Sequence, residues 1–438
     1  MDNMGFVNQN ITPMNTKINK KGNLEISGCD LVELATEFKT PLYVIDKLTL
    51  VQMALDYKKA FSSYSKIKMM FASKALMTGA IAKILADLDF GFDVVSMGEI
   101  YTLINAKIPL DNVTFNGNNK TYDELNYALD NGINHISVDN FYELEILNQI
   151  ACNKNKTQKI HLRIAPGIEC HTHEYIQTGQ IDSKFGFDLS MLERAIELIQ
   201  NKYKNLNFAG IHVHLGSQIF ETKVYEDAVE IVLKQFQKIK EKFGIELSEL
   251  NLGGGLGVTY TIDDNPPSVF EIADVIINSI NKNCEKLNLE KPTLYIEPGR
   301  SLVCSAGVSL YTIGSTKNIE GIRKYVAVDG GMADNPRPSM YQAKYSATIA
   351  NKKEEEKELV TIAGKFCESG DILIKDIELP KPAAGDILCV FDTGAYCYSM
   401  SSNYNRALKP AMVLIENGNA KVIVKRQTLE QLVENDVI

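Results

Sequence analysis

A (β/α)8 TIM-like barrel followed by an antiparallel all-β domain is the fold class that these 438 residues predict. Three observations predict it. Short β-rich runs alternate with helical patterns over about 230 residues, eight strands in all. The first five runs begin about 22 to 24 residues apart, the length of one strand plus one crossover helix. After about Ser305 the helical patterns give way to short runs bounded by Gly, Pro or charge.

The opening segment carries a strand-like NLEIS and a helical LVELATEF and is too short for a domain of its own. The barrel is expected over residues 43–304, with strands in KIKMMFASKA, DFGFDVVS, NVTFNGN, HISVDN, KIHLRIA, FAGIHVHLG, ELNLGGG and TLYIEPGR. Helical patterns such as TYDELNYALDNG and SMLERAIELIQNKY fill the gaps. The β domain is expected over 305–438, in GVSLYTIGST, KYVAVDGG, KELVTIAG, DILCVFDTG and AKVIVKRQ, and the charged NKKEEEKE reads as a solvated hairpin loop.

Composition narrows the function classes. A net charge of −9 without a basic block disfavours nucleic acid or an anionic membrane as partner. No apolar run approaches the ~20 residues of a membrane span, and the first residues lack the apolar core of a signal peptide. Eight cysteines without CxxC spacing read as reduced thiols, which places the protein in the cytoplasm.

Chemistry enters with Lys74, a lone lysine at the end of the apolar run MMFASKAL. A solvated strand end would explain it alone. The other strands argue otherwise, because side chains alternate faces. Ile211, Val213, Leu215, Leu294, Ile296, Leu162 and Ile164 fall on the helix side; His212, His214, Tyr295, Glu297 and Arg163 fall on the other, as do Thr114 with Asn116 and Ala72 with Lys74. Lys74, Arg163, His214 and Glu297, with Asp93 as a fifth, therefore converge at the C-terminal strand ends, where barrel enzymes hold their sites. The run NLGGGLG, with Gly254 and Gly255, offers bare backbone N–H groups to a phosphate, and Ser217 offers another donor. A reactive lysine, a phosphate seat and an inward carboxylate together suggest pyridoxal 5'-phosphate. Lys74 would bond its aldehyde, His214 would stack on its ring, and Glu297 would keep its pyridine nitrogen protonated. At about 4 Å and an effective dielectric near 20 that last contact is worth ~4 kcal/mol.

These residues resemble the meso-diaminopimelate decarboxylase family, within the alanine-racemase-like class of pyridoxal-phosphate enzymes (group IV decarboxylases). FASKA, DVVSMGE, NGNNK, HTHEYIQTGQIDSKFG, HVHLGSQ, LGGGLG, EPGR, DNPRPSMY, CESGD and GAYCYSMSSNYN carry the resemblance over nearly the whole chain. It implies decarboxylation of meso-2,6-diaminopimelate to L-lysine and CO2, the last step of lysine biosynthesis. Lys74 and Cys367 are then the catalytic residues, with Cys367 as proton donor. Asp93, His214, Ser217, Gly254, Gly255, Glu297, Arg300 and Tyr396 would hold the cofactor with Lys74. Arg300, Arg337, Tyr341, Glu368 and Tyr396 would hold the substrate, Arg337 and Tyr341 at its distal carboxylate and Glu368 at its distal ammonium. The resemblance also implies a homodimer with Cys367 and Glu368 crossing from the other subunit, and an N-terminal segment, 1–42, joined to the β domain. Met97, Cys397, Tyr398 and Met412 depart from the family's usual residues without removing a catalytic group.

Three other readings compete. The pairs His171/His173 and His212/His214 could ligate zinc in a barrel hydrolase, but the first pair follows the fifth strand and the chain has only six histidines. No metal is expected. A non-catalytic relative would have lost the lysine or the cysteine. A relative acting on ornithine, arginine, carboxynorspermidine or a D-amino acid stays open as the alternative.

Overall fold

The computed structural model describes residues 7–167, 183–353 and 356–437. The chain forms two compact units. One comprises Ala54–Gly257 and Pro266–Gly299; the other comprises the residues up to Met53, Val258–Asn265 and the chain from Arg300 onward.

The first unit is the expected barrel. Its strands are β1 (Ile67–Ala72), β2 (Gly91–Val94), β3 (Val113–Phe115), β4 (His135–Val138), β5 (Gln158–Ala165), β6 (Leu206–His212), β7 (Glu249–Asn251) and β8 (Thr293–Ile296). Each is parallel to its neighbour, and β8 pairs with β1 to close the ring. Five crossover helices begin on Thr78, Ser96, Thr121, Asn140 and Ser268, each accepting a free amide of the first turn. Those caps open helices that return the chain between parallel strands, and the parallel order leaves the polar strand ends together at one rim. Leu162, Ile164, Ile211, Val213, Leu294 and Ile296 are all buried, as their faces required.

Strands end earlier than the sequence suggests. β1 stops at Ala72, and Lys74 lies in a single 3-10 turn, Ser73–Ala75. Past β3 and β8 the ladder continues by single bonds, from the Asn116 N–H to the Val94 carbonyl (2.8 Å) and from the Glu297 N–H to the Gly253 carbonyl (2.7 Å).

The second unit departs from expectation in pairing and in extent. Its sheet is mixed rather than antiparallel: Arg323–Val328 runs parallel to Lys357–Ala363, and Leu42–Asp46 parallel to Ala411–Glu416. Leu42–Asp46 also pairs antiparallel with Gly307–Ile319. Flanked on both edges, it belongs to this unit, so residues 43–53 do not group with the barrel, and neither do 258–265 or 300–304. Leu24, Ile26, Leu31 and Leu34 share a core with Val308, Leu310, Phe391, Val413 and Ile415. That apolar burial incorporates the N-terminal segment. NKKEEEKE is not a hairpin loop, because the flanking strands Ala347–Ile349 and Lys357–Ala363 pair with other partners. Met412 is buried in its strand, while Met97 is exposed at the start of a helix.

Candidate active site

Barrel interiors are usually filled by branched apolar side chains; this one is polar in two layers. At the rim, the Asn251 amide donates to Glu297 Oε1 (2.6 Å), and Asn116 donates to the same oxygen (3.4 Å) and to Asp93. Asn251 Oδ1 accepts the Gly253 N–H (2.9 Å), so the carboxylate is tied through one amide to the glycine loop. Asp93 and Glu297 are both buried, which raises both carboxyls; Lys74 and Arg163 oppose the rise, yet Asp93 still reaches about 8. Lys74 itself is half-buried.

The two inward histidines are electrically quiet. Burial, with Arg163 and Lys74 nearby, lowers both imidazoles well below the usual histidine range, so both are neutral. His212 Nδ1 meets Ser137 Oγ at 2.8 Å. Its Nε2 lies 3.4 Å from Glu297 Oε2, inside ion-pair range but off the line of a hydrogen bond, so this is a polar contact and not an ion pair. His214 Nδ1 accepts the Gly254 N–H at 3.3 Å, which puts the ring proton on Nε2. Arg163 packs on the Phe185 ring at 4.3 Å, 4.0 Å from Asp139.

The glycine loop admits no side chain. A Cβ on Gly254 would lie 2.2 Å from the Glu297 carbonyl oxygen, and one on Gly255 2.7 Å from Ile219. Gly253 and Gly255 also need positive φ, at 65° and 111°. Ser217 is half-buried in the loop after β6.

One layer below, two residues back on four strands, lie His135, His161, Glu249 and Tyr295. Both imidazoles meet Glu249 Oε2 at 2.8 Å, while Lys159 (2.5 Å) and the Tyr295 hydroxyl (3.2 Å) meet Oε1. Burial works against the Glu249 charge, but hydrogen bonds from the two histidines outweigh it and hold the carboxyl well below its usual range. The same three residues are the one group with metal-ligand geometry among the described residues. Their hydrogen bonds make it a floor beneath the rim. Of the pairs proposed for zinc, His171 and His173 lie outside the described residues, as does most of HTHEYIQTGQIDSKFG.

The second unit gathers the arginines. Arg300 and Arg337 both donate to the Tyr260 hydroxyl, at 2.6 and 2.9 Å, and Arg300 lies over the Tyr396 ring at 4.8 Å. Tyr396 sits at φ 60°, a strained value for a tyrosine. Tyr341 ends the short helix Arg337–Tyr341 and is half-buried. The CESGD turn joins Lys357–Ala363 to Ile372–Pro380. Cys367 is exposed there, so it is not the small buried hydrophobe that an idle cysteine usually is. Glu368 is exposed too. Asp371 instead points inward and accepts the Met332 and Phe366 N–H groups, which fixes the turn.

Lys74, Asp93, Arg163, His214, Ser217, Gly254, Gly255 and Glu297 all lie in the first unit; Arg300, Arg337, Tyr341, Cys367, Glu368 and Tyr396 lie in the second. Sequence reasoning passed over Asn251, Ser137, Tyr260 and Tyr345. Asn251 had a signal, since alternation puts it on the face of Glu249 at the start of NLGGGLG. Tyr260 and Tyr345 sit outside regular strands and gave none.

A lysine amine, a buried carboxyl and a bare glycine loop on one barrel rim suit an aldehyde, a pyridine nitrogen and a phosphate. They define a barrel of the pyridoxal-binding class, and the comparisons agree. The pyridoxal binding domain of the pyridoxal-dependent decarboxylases matches residues 49–304. The diaminopimelate decarboxylase of Synechocystis sp. is 46% identical over 98% of this chain and 94% of its own. That of Bacillus subtilis is 46% identical over 96% of each chain. The crystal structure of diaminopimelate decarboxylase from M. jannaschii with L-lysine superposes with a TM-score of 0.92 over 99% of both chains, at 36% identity. The chain belongs to the diaminopimelate decarboxylase family of pyridoxal-dependent decarboxylases, and its cofactor is pyridoxal 5'-phosphate.

Proposed function

We propose that this enzyme removes one carboxylate from meso-2,6-diaminopimelate, giving L-lysine and CO2 as the last step of lysine biosynthesis. The observation that carries the substrate choice is the pair of buried guanidiniums meeting on Tyr260. A substrate that loses one carboxylate and keeps another needs a cationic seat for the one it keeps, and a guanidinium can take it by two hydrogen bonds.

When bound, pyridoxal phosphate supplies an electron sink for the pair left behind as CO2 departs. The chain's residues do the rest. Lys74 would hold the cofactor at its aldehyde. Glu297, steadied by Asn251 and Asn116 with Asp93 beside it, would keep the pyridine nitrogen protonated. Gly254, Gly255 and Ser217 would take the phosphate, and neutral His214 would face the ring. Arg300, Arg337, Tyr341 and Tyr396 hold the far carboxylate, and Glu368 holds the far ammonium. Cys367 delivers the proton that replaces the lost carboxylate, completing the balance. The enzyme works as a cytoplasmic homodimer, with Cys367 and Glu368 lent by the partner subunit. The N-terminal segment and the β-rich unit act as one domain. Among the described residues no helix is long and apolar enough to cross a membrane.

Incubating the purified protein with meso-diaminopimelate and following CO2 and L-lysine tests the reaction. Borohydride reduction should fix the cofactor to a Lys74 peptide, and a label on another lysine would overturn that assignment. Comparable rates on ornithine or lysine would favour a decarboxylase of broader range. Loss of a buried arginine's counter-charge should cost about 3 to 5 kcal/mol, or roughly 10² to 10⁴ in kcat/KM.

A further inference from the structure

Tyr260 and Tyr345 are buried phenols in the arginine cluster, their rings edge-to-face at 5.2 Å. Their protons can be followed from donor to acceptor. Cys304 Sγ lies 3.1 Å from the Asp392 carbonyl oxygen and 3.2 Å from the Tyr260 hydroxyl. A carbonyl only accepts, so the single S–H goes to Asp392, and the sulfur must accept the Tyr260 O–H. Both lone pairs of that hydroxyl are then turned to Arg300 Nη1 and Arg337 Nη1.

A second relay repeats the pattern. Arg337 Nη1 donates to the Tyr345 hydroxyl at 2.6 Å, that hydroxyl lies 3.7 Å from Cys397 Sγ, and Cys397 lies 3.5 Å from Asn335 Oδ1. Arg337 Nη1 has two hydrogens, and the two phenols take both. Among the described residues its hydrogen bonds leave from Nη1 alone, which keeps the Nε–Nη2 edge as a two-donor fork. Burial raises both phenols, so they stay neutral acceptors that do not cancel the arginine charge. Cys397 thereby gains a task.

We propose that Tyr260 and Tyr345 are positioning residues that fix Arg300 and Arg337 as a carboxylate fork, with Cys304 and Cys397 accepting the phenol protons. This rests on the reading above, in which the arginines take the carboxylate that the product keeps.

The test compares two ligands of the cofactor-loaded enzyme by calorimetric titration: L-lysine, which carries that carboxylate, and cadaverine, which lacks it. Tyr260→Phe keeps the ring packing and removes one oxygen. It should weaken L-lysine about ten- to hundredfold while moving cadaverine less than about twofold. Tyr345→Phe should act in the same direction, through Arg337 alone. A general loosening of the fold would weaken both ligands together and would overturn the proposal. If the native enzyme prefers L-lysine and both variants keep that preference, this inference falls while the arginine assignment stands. If the native enzyme shows no preference, both fall. Should Tyr260→Phe not fold, Cys304→Ala reports on the same oxygen: the phenol proton must turn toward a guanidinium, and the preference should drop about threefold. An unchanged preference there overturns the relay.

Discussion

Asp93 and Glu297 share one amide, that of Asn116, and the cost of burying two carboxyls so close governs the rim. Burial first, and then the neighbouring Glu297, raises Asp93 from the ordinary carboxyl value to about 8. The folded protein therefore keeps a proton on Asp93 at pH values where the unfolded chain has released it. The stability this lends is full below about pH 4 and is lost as pH rises through about 8. Asp93→Asn imitates the protonated form and should flatten that slope. Melting temperatures at pH 5 and pH 8, with and without cofactor, should fall more in the native protein than in the variant. The difference should be largest without cofactor, where no cationic ring nitrogen offsets the two carboxyls. Equal slopes in both proteins would show that Asp93 is ionised in the fold.

Between strands, the exit of β3 is bound to β4 by one buried lysine. Lys120 forms an ion pair with Glu143 at 2.8 Å, both side chains 2% exposed, and donates to the Gly117 and Ser137 carbonyls at 2.7 and 2.8 Å. The two carbonyls accept from the ammonium while the Glu143 carboxyl faces it as a charge, and Ser137 is the partner of His212. Burial raises the Glu143 carboxyl to about 7 even with Lys120 beside it, so Lys120→Met should destabilise the fold in urea denaturation by up to about 3 to 5 kcal/mol, and most at alkaline pH, where the Glu143 charge would be left buried and unpaired. Adding Glu143→Leu should recover part of that loss. No recovery would mean that the two carbonyl contacts, not the pair, carry the stability. This scale also separates what was legible from what was not. Period-two alternation placed Arg163, His212 and Glu297 on the inward face because every neighbouring position is apolar. Asn251 was hidden inside a motif whose glycines drew attention to the loop. Tyr260 was illegible for a different reason: it belongs to the β-rich unit although it lies in sequence between two barrel strands. The parallel pairing of Leu42–Asp46 with Ala411–Glu416 spans most of the chain, and no local pattern reports a contact of that separation.

Across the whole molecule, the two residues assigned to chemistry are placed very differently. Lys74 is half-buried at the barrel rim, whereas Cys367 is exposed on a turn whose geometry Asp371 fixes by accepting two backbone amides. As the proposed proton donor, a cysteine exposed on such a turn would suit delivery to a neighbouring subunit, which is the arrangement the family resemblance implies. That arrangement predicts complementation. Lys74→Ala and Cys367→Ala should each abolish turnover as pure proteins. When equal amounts exchange subunits at random, half of the dimers are mixed. Each mixed dimer joins one native lysine to one native cysteine across a single site, so about a quarter of native activity should return. Differently tagged subunits, co-purified after mixing, establish that exchange has occurred. Activity that stays at background after verified exchange would place Cys367 in the site of its own chain, or remove it from the reaction. A cofactor absorption spectrum unchanged in Cys367→Ala but lost in Lys74→Ala would separate those outcomes from a general failure to fold.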